Sequence, residues 1–464
     1  MMKRLFLWLG LAGSSQGFAQ QSPAQPALPL QRLLQQVEAG YPSIKARQEM
    51  AKAGSYYVAA AEKNFLPELT AGQQFTYSTN NGLVGSFYNN EGTTISTSGG
   101  VRPENIYEGV FGSFTTLSVN WRIFTFGRLQ QEVNYARSQE QLAKDDISKE
   151  IFRQQITAAD AYLRLALLQR LQWVQQQNLS RAATFQQYVL SRAKAGLLPG
   201  ADSSFANAEV AKARIALLQS NQATRQQRIF LQRLTGIAAD SIIADTTFFS
   251  RRLPATTAAD SLAIAQHPFL QYATQQVKVA NEKQLAVKKS ILPSVNLLGM
   301  GWARGSGIDR ETNAYSSKLS DGIPWQTYNY MGALAIKWNI LSLAKNKQEV
   351  HAAQAVAAAA NARRTEQQLA LNAQLDDARL QYQLAWEQTK LAPVQYQSAS
   401  DAWQQSNARY QAGLATLTEL VQTLYALNRA DVDKTIATNN VWRGLLLEAA
   451  ATGNINLFTN QVQP

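Results

Sequence analysis

The sequence predicts a mainly α-helical chain with a small transmembrane β part, arranged as two tandem structural repeats. Three observations predict this fold class. Landmark residues of the first half recur in the second half, each half contains one very long stretch without glycine, and each half contains a short segment in which apolar and polar residues alternate. Helical rods of that length do not fit in a compact domain of ordinary size.

Segment 1–19 has the features of a secretory signal peptide. Lys3 and Arg4 precede an apolar core at 5–12, and a small-x-small cleavage site follows at 17–19. The apolar core is far shorter than the roughly 20 residues that a membrane-spanning helix needs. We therefore expect an exported chain whose signal is removed, rather than a chain held by a short membrane anchor.

The composition excludes several classes of protein. The chain has no cysteine, which excludes disulfides, thiolate metal sites and a lipidated cysteine. Its two histidines, His267 and His351, have no recognisable partner motif, and no phosphate loop, nucleophile elbow or metal-ligand cluster is present. We expect no enzyme activity, no cofactor and no metal. The formal net charge of +12 is scattered along the chain, so we also expect no nucleic acid partner.

The internal repeat has two registers. Tyr41-Pro42 recurs as His267-Pro268, an offset of 226 (267 − 41), and Trp121 recurs as Trp338, an offset of 217 (338 − 121). The offset changes from 226 to 217 between the Leu-Pro pair and the tryptophan, where the first half has the longer loop. The predicted segments are an N-terminal segment (20–40), repeat 1 (41–236), an inter-repeat linker (237–266), repeat 2 (267–453) and a C-terminal tail (454–464).

Each repeat begins with a helix that stops at a Leu-Pro pair. Proline lacks an N–H and disfavours helix in the residue before it, so helices are expected over 43–64 and 269–290. Strand-like sequence follows each Leu-Pro pair. Between the strands of each pair, the segments 80–112 and 305–324 are rich in glycine and small polar residues, which predicts loops outside the cell and helices in the periplasm.

The strand before each tryptophan alternates strictly between apolar and polar residues. This pattern is typical of a transmembrane barrel strand with lipid on one side and water on the other, although a half-buried sheet of a soluble protein is an alternative. In the partner strands, 69–77 alternates acceptably, whereas 297–302 allows two registers. The expected lipid-facing residues are Leu117, Val119, Trp121, Leu334, Ile336 and Trp338, and the expected lumen-facing residues are Arg122 and Lys337.

Long helices are expected over 128–195 and 345–412, the second of which contains Pro393 as a kink. At about 1.5 Å per residue each is a rod of roughly 100 Å. Apolar residues occupy two faces of the rod, so helices on both sides are expected, and such helices close into a cylinder. The alternative is a pore-less periplasmic or surface coiled-coil protein of structural or adhesive function, which would need no strands.

Both long helices end at an Ala-Gly pair, where Gly196 and Gly413 can take the left-handed conformation that caps a helix. After Gly413, the sequence from Thr416 to Glu419 has the form of a capping box. In the first repeat, Asp202 lies close to the start of the next helix, where the helix dipole favours negative charge.

The chain resembles the TolC family of outer-membrane factors over nearly all of its mature length. The resemblance rests on the tandem halves, on the order of helix, Leu-Pro pair and strand in each half, and on a motif at the turn after each long helix. The motif is present as Ala193-x-x-Gly196 with Asp202, and as Tyr410-x-x-Gly413 with Glu419. Ala193 departs from the aromatic residue of the family pattern, and Glu419 replaces the commoner aspartate. The resemblance implies a homotrimer in the outer membrane of a Gram-negative bacterium, with a 12-stranded β-barrel, four strands per protomer, and a trimeric α-barrel tunnel in the periplasm.

The resemblance also implies the function and its partners. The chain would be the channel of a tripartite efflux or type I secretion system, joined by a periplasmic adaptor (membrane fusion) protein to an inner-membrane transporter. The partner transporter would select the cargo. The residues implied to dock on the adaptor are Arg192, Gly196, Arg409, Tyr410 and Gly413, and those implied to form the periplasmic gate are Asp202 and Glu419.

Overall fold

A computed structural model describes residues 27–79, 81, 104–255 and 261–462, the last of these without the side chains of 261–263. The expected signal peptide, the start of the N-terminal segment and most of the first loop, 82–103, lie outside the described residues. The elements are α1 (Leu30–Gly40), α2 (Pro42–Lys63), β1 (Glu68–Ser78), β2 (Val110–Phe124), α3 (Arg128–Lys194), α4 (Gly200–Thr235), α5 (Thr246–Arg251), α6 (Pro268–Lys289), β3 (Ser294–Ser306), α7 (Leu319–Gly322), β4 (Thr327–Lys337), α8 (Leu343–Gln411), α9 (Leu417–Thr452) and α10 (Asn456–Thr459).

The two repeats are visible in the bounds of the elements. Helices α2 and α6 are displaced by 226 residues at both ends (268 − 42 and 289 − 63), and α4 and α9 by 217 (417 − 200 and 452 − 235). The registers read from the sequence are therefore also registers of secondary structure, and the tandem repeat is confirmed.

In each repeat, a tryptophan at the end of one strand donates a hydrogen bond to a carbonyl just after the first helix. Trp121 Nε1 donates to the carbonyl of Phe65 at 2.9 Å, and Trp338 Nε1 donates to the carbonyl of Ile291 at 3.1 Å. The acceptor residue immediately precedes the Leu-Pro pair in both repeats. This hydrogen bond explains why the tryptophan and the Leu-Pro pair recur together.

The four strands form one antiparallel sheet in the order β1-β2-β3-β4. Pairing places Leu69 opposite Val119, Trp121 opposite Leu297, and Leu297 opposite Leu334. A register shift between Arg122 and Phe124 interrupts the β2–β3 ladder. Strands β1 and β4 are the edges of this open sheet.

The two predicted long helices are confirmed. Helix α3 has 67 residues and α8 has 69, and α8 continues through Pro393. Helix α3 packs against α4 on one side and against α2, α6 and α9 on others, as its two apolar faces predict. Among the described residues, no helix is both long and apolar enough to cross a membrane.

The main core surrounds the middle of the long helices. It contains Trp442 of α9 and Tyr162 of α3, and it also takes in Leu33 from α1, Phe249 from α5 and Phe458 from α10. Tyr162 Oη donates to the Leu28 carbonyl at 2.7 Å and accepts from the backbone N–H of Asp245 at 3.1 Å. The segments expected as an N-terminal segment, a linker and a tail thus contribute to one core.

Candidate functional site

Two regions carry the predicted functional residues. One is the tip, defined as the turn from Arg192 to Asp202 after α3 together with the turn from Arg409 to Glu419 after α8. The other is the four-stranded sheet, whose two faces differ in polarity. The pairing register of the strands defines these faces because directly opposed residues lie on the same side of a sheet.

Both turns of the tip are capped by a left-handed glycine, as predicted. Gly196 has φ of 74° and Gly413 has φ of 77°. The following N–H groups close the helix ends, Leu197 onto the Arg192 carbonyl at 2.9 Å and Leu414 onto the Arg409 carbonyl at 2.8 Å. A Cβ added at either glycine would meet no atom within 4 Å. The glycines are thus required by backbone conformation, and each leaves a bare surface on the protomer.

The second turn carries an ion pair where a full capping box was predicted. Thr416 Oγ1 accepts from the backbone N–H of Glu419 at 3.3 Å, which is the first half of that motif. The Glu419 carboxylate accepts from Arg409 Nη1 at 3.1 Å rather than returning to the cap. Glu419 therefore ties the end of α8 to the start of α9.

The first turn is connected differently. Arg192 Nη1 donates to Tyr188 Oη at 2.7 Å and to the carbonyl of Gln411 at 3.4 Å, and Tyr188 Oη donates to the same carbonyl at 3.3 Å. That carbonyl is at the C-terminal end of α8, where the helix dipole favours a cation. Arg192 thus links α3 to α8, while Asp202 lies half-buried in the first turn of α4.

A further polar link joins α4 to α9. Lys212 Nζ donates to Tyr425 Oη at 2.7 Å, and the same hydroxyl donates to the carboxylate of Glu209. Sequence reasoning missed these three residues because their partners are more than 200 residues apart. The helical hairpins of the two repeats are therefore joined by polar contacts on both sides of the tip.

Tyr410, which the resemblance assigned to the docking surface, is buried in this structure. Its side chain is 6% exposed, and its ring lies 6.0 Å from the rings of both Phe185 and Tyr188. Burial, followed by the nearby Asp202 carboxylate, raises the pKa of its hydroxyl. Tyr410 fills the space between α3 and α8, so in this conformation it supports the tip from inside.

The predicted lipid-facing residues share one face of the sheet. The register places Leu117, Val119 and Trp121 of β2 on the same side as Leu334 and Ile336 of β4, and Trp338 continues that alternation just past β4. We call this side the apolar face. The opposite side, the polar face, carries the two residues predicted to face the lumen, Arg122 and Lys337. Large exposed residues of the apolar face are Leu69, Phe75, Tyr77, Leu117, Trp121, Leu297, Tyr328, Tyr330, Leu334, Ile336 and Trp338.

The structure settles the register that the sequence left open in β3. Leu297 lies on the apolar face, where it is followed by small residues, and Trp302 lies on the polar face. Gly301 is opposite Tyr330 and Ala303 is opposite Tyr328. The large side chains that fill this part of the apolar face therefore belong to β4, which is why β3 alone shows no clear alternation.

Aromatic residues mark both ends of the apolar face. Trp121 and Trp338 are at the end nearest the helices, and Tyr77 and Tyr328 are at the other. At the far end, Trp325 packs edge-on against Tyr328 and donates to Thr115 Oγ1 at 2.9 Å. Ten residues separate Trp338 from Tyr328, about 33 Å along a strand and about 25 Å at a tilt of about 40°. This matches the height of the apolar band of an outer-membrane barrel.

Comparisons with known proteins agree with this geometry. The model of the outer membrane efflux protein family matches residues 33–237 and 260–443. The comparison with curated proteins found no match. Among solved structures, the outer-membrane channel OprN is 18% identical, covers 92% of this chain and 90% of its own, and has a TM-score of 0.74.

Two further structures show the same fold. The outer membrane protein VceC from Vibrio cholerae is 17% identical, with 92% of this chain and 96% of that chain covered and a TM-score of 0.72. The CmeC outer membrane channel of Campylobacter jejuni is 12% identical, with 97% and 94% covered and a TM-score of 0.73. The family match spans most of the chain, and the chain belongs to the outer membrane efflux protein family. It is an outer-membrane efflux channel of the TolC-like fold, and its family is one of channel proteins rather than enzymes.

Proposed function

We propose that three copies of this chain close into one channel, which serves as the outer-membrane component of a tripartite efflux or type I secretion system. The observation that carries the trimer is the open four-stranded sheet with an exposed apolar face. In lipid, the unpaired backbone groups of β1 and β4 would each cost several kcal/mol, so the sheet has to close. Three copies, each pairing its β4 with the β1 of the next, give a 12-stranded barrel with no edge.

The polarity of the sheet sets the orientation of this barrel. The apolar face would contact outer-membrane lipid, and the polar face, with Arg122 and Lys337, would line the lumen. Large apolar side chains on α8 and α4 are exposed in a single protomer, so we expect these helices to pack against helices of the neighbouring copies. The exposed side chains include Val356, Leu369, Leu380, Leu384, Leu391 and Val394 on α8, and Ile215, Leu218 and Ile229 on α4. Contact between copies would bury them and close a periplasmic tunnel of roughly 100 Å.

We place the partners at the tip. A periplasmic adaptor protein would dock on the bare surfaces at Gly196 and Gly413 and on Arg192 and Arg409, and it would join the channel to an inner-membrane transporter. Asp202 and Glu419 would contribute to the closed gate. With no cysteine in the sequence, the mature chain would be held by its barrel alone and not by a cysteine-linked lipid.

Edge-to-edge cross-linking tests the trimer, and the cysteine-free sequence is a clean background for it. Thr70→Cys on β1 is combined in turn with Met331→Cys, Ala333→Cys or Ala335→Cys on β4, all of which lie on the polar face. We expect at least one pair to give a covalent trimer on oxidation in membranes. The control pair Ser118→Cys and Ala333→Cys should stay unlinked because β3 separates β2 from β4. Monomers from all three test pairs would contradict a closed barrel.

A further inference from the structure

The chain between β3 and β4, which we call the β3–β4 connection, folds back over the far end of the sheet. Ser113 Oγ of β2 donates to the carbonyl of Ile323 at 2.8 Å, and Trp325 Nε1 donates to Thr115 Oγ1 of β2 at 2.9 Å. Ser113 and Thr115 alternate in step with Leu117, so their side chains lie on the apolar face. The β3–β4 connection therefore crosses the apolar face of the sheet and not its polar face.

Glycines allow the backbone of the connection to lie directly on the sheet. Gly305 is paired with Ser113, and a Cβ added to Gly305 would meet the Gly322 carbonyl oxygen at 2.7 Å and would clash with the carbonyl oxygen of Pro324. A Cβ added to Gly322 would clash with the backbone of Phe111. Both positions need glycine because two segments of backbone approach each other closely there.

The side of the connection that points away from the sheet is apolar. Leu319, Ile323 and Trp325 are 49%, 40% and 51% exposed. Leu319 and Ile323 are four residues apart, so they share one side of the helical turn α7. Asp321 accepts from Ser320 Oγ at 3.0 Å on the other side of the same turn. The connection is therefore amphipathic.

The position of these side chains favours lipid as the partner over a second copy of the chain. The proposed trimer joins copies through β1 and β4, whereas the connection lies on Ser113 and Gly305 of the two middle strands. Trp325 packs 6.4 Å from the ring of Tyr328, one of the aromatic residues at the far end of the apolar face. Tryptophan and tyrosine are enriched where a membrane meets water. The exposed apolar side is thus continuous with the face that would contact lipid.

We propose that the β3–β4 connection binds the outer leaflet of the membrane, with Leu319, Ile323 and Trp325 inserted at the boundary between headgroups and acyl chains. An amphipathic segment that lies along a membrane buries its apolar side about 5–10 Å deep at this boundary. The inference rests on the proposed barrel, whose apolar face contacts lipid. The connection then holds the outer end of the sheet in the leaflet and stays clear of the lumen.

Spin labels on single cysteines test this contact, because the sequence has no cysteine of its own. Labels at Leu319→Cys and Ile323→Cys are compared with a label at Ser320→Cys, on the polar side of the same turn, in vesicles of phosphatidylcholine and phosphatidylglycerol. Molecular oxygen concentrates in lipid, whereas nickel ethylenediaminediacetate stays in water. We expect the ratio of oxygen to nickel collision rates to be several-fold higher at Leu319→Cys and Ile323→Cys than at Ser320→Cys.

A glycine substitution tests whether the close packing on the sheet sets this depth. Gly305→Ala adds the methyl group that would clash with the Pro324 carbonyl, so it should displace the connection and lower the ratio at Ile323→Cys several-fold. Gly301→Ala is the matched control on the same face, because the atom nearest to its added Cβ is the Asn329 carbonyl oxygen at 4.0 Å. The oligomeric mass shows whether both variants assemble. An equal ratio in the two assembled variants would contradict the proposal.

A label at Leu334→Cys, on the apolar face of β4, separates failure of this inference from failure of the proposed barrel. Nickel-accessible labels at Leu319→Cys and Ile323→Cys, beside an oxygen-accessible label at Leu334→Cys, would overturn the lipid contact alone. Labels on the connection that neither reagent reaches would also overturn it, because another part of the chain or a second copy would then cover them. A nickel-accessible label at Leu334→Cys would overturn both the barrel and this inference.

Discussion

A single buried histidine, His267, makes one junction between helices sensitive to pH. His267 is fully buried at the start of α6, where Nδ1 accepts from the Phe269 N–H at 3.1 Å and Nε2 lies 3.0 Å from the Ala450 carbonyl. This pattern needs the neutral ring with its proton on Nε2. The side chain joins the first helix of repeat 2 to the end of α9.

Lowering the pH should weaken this junction. Burial lowers the pKa of His267 below its ordinary value of 6.5, so at pH values under 6.5 the unfolded chain binds more protons than the folded one. The stabilisation is therefore complete above pH 6.5 and is lost as the pH falls below it. Thermal unfolding in detergent at pH 7 and pH 5 measures the effect. His267→Asn keeps a capping oxygen and does not titrate, so it should reduce the difference between the two pH values; an unchanged difference would contradict this account of His267.

Glu419 allows a residue-level test of the proposed gate. Glu419→Gln removes the charge from its pair with Arg409, and we expect a higher closed-state conductance in single-channel recordings. Glu387→Gln is the control, because Glu387 forms an exposed ion pair with Lys390 on α8, away from the tip. Equal closed-state conductance in wild type and Glu419→Gln would leave Glu419 as a helix-terminal residue without a gating role.

At the scale of elements, neighbouring residues of β4 should respond in opposite ways to the same substitution. Leu334 lies on the apolar face, near the middle of the span between Trp338 and Tyr328, and is 66% exposed on the protomer, whereas its neighbour Ala335 lies on the polar face. Leu334→Arg would place a charge near the middle of the lipid and should destabilise the inserted barrel by about 2–4 kcal/mol. Ala335→Arg should insert normally. Urea titration of both variants folded in bilayers measures the difference, and equal stabilities would contradict the assignment of the faces.

The elements also show what the sequence could predict. The long helices, the glycine caps and the faces of β2 and β4 follow from local patterns and are present in the structure. The register of β3 depends on Tyr328 and Tyr330 in the next strand, and the burial of Tyr410 depends on Phe185 and Tyr188 in α3. Both involve contacts between distant parts of the chain, so no local pattern contains them.

At the scale of the whole molecule, the same limit applies to the core. Helix α1 has a helical stripe of Leu30, Leu33, Leu34 and Val37, which the expected bounds of the N-terminal segment do not separate, whereas the residues after α4 and the tail after α9 are expected only as a linker and a tail. The packing of all three on one core depends on contacts between distant parts of the chain. In the structure they pack around the middle of α3 and the C-terminal part of α9, where Tyr162, Trp442 and, from the tail, Phe458 are buried. The long helices and the strands belong to the duplicated unit, whereas these three core-forming segments lie outside it.

The central claim is that several copies of this open, two-faced sheet close into a conducting channel. Electrical recording of the detergent-purified oligomer in a planar bilayer, after its mass has been determined, tests that claim most directly. We expect a trimer that conducts in discrete steps, with cation-to-anion selectivity shifted toward cations by Lys337→Glu on the polar face. A stable trimer that never conducts, or a protein that stays monomeric in bilayers, would contradict it.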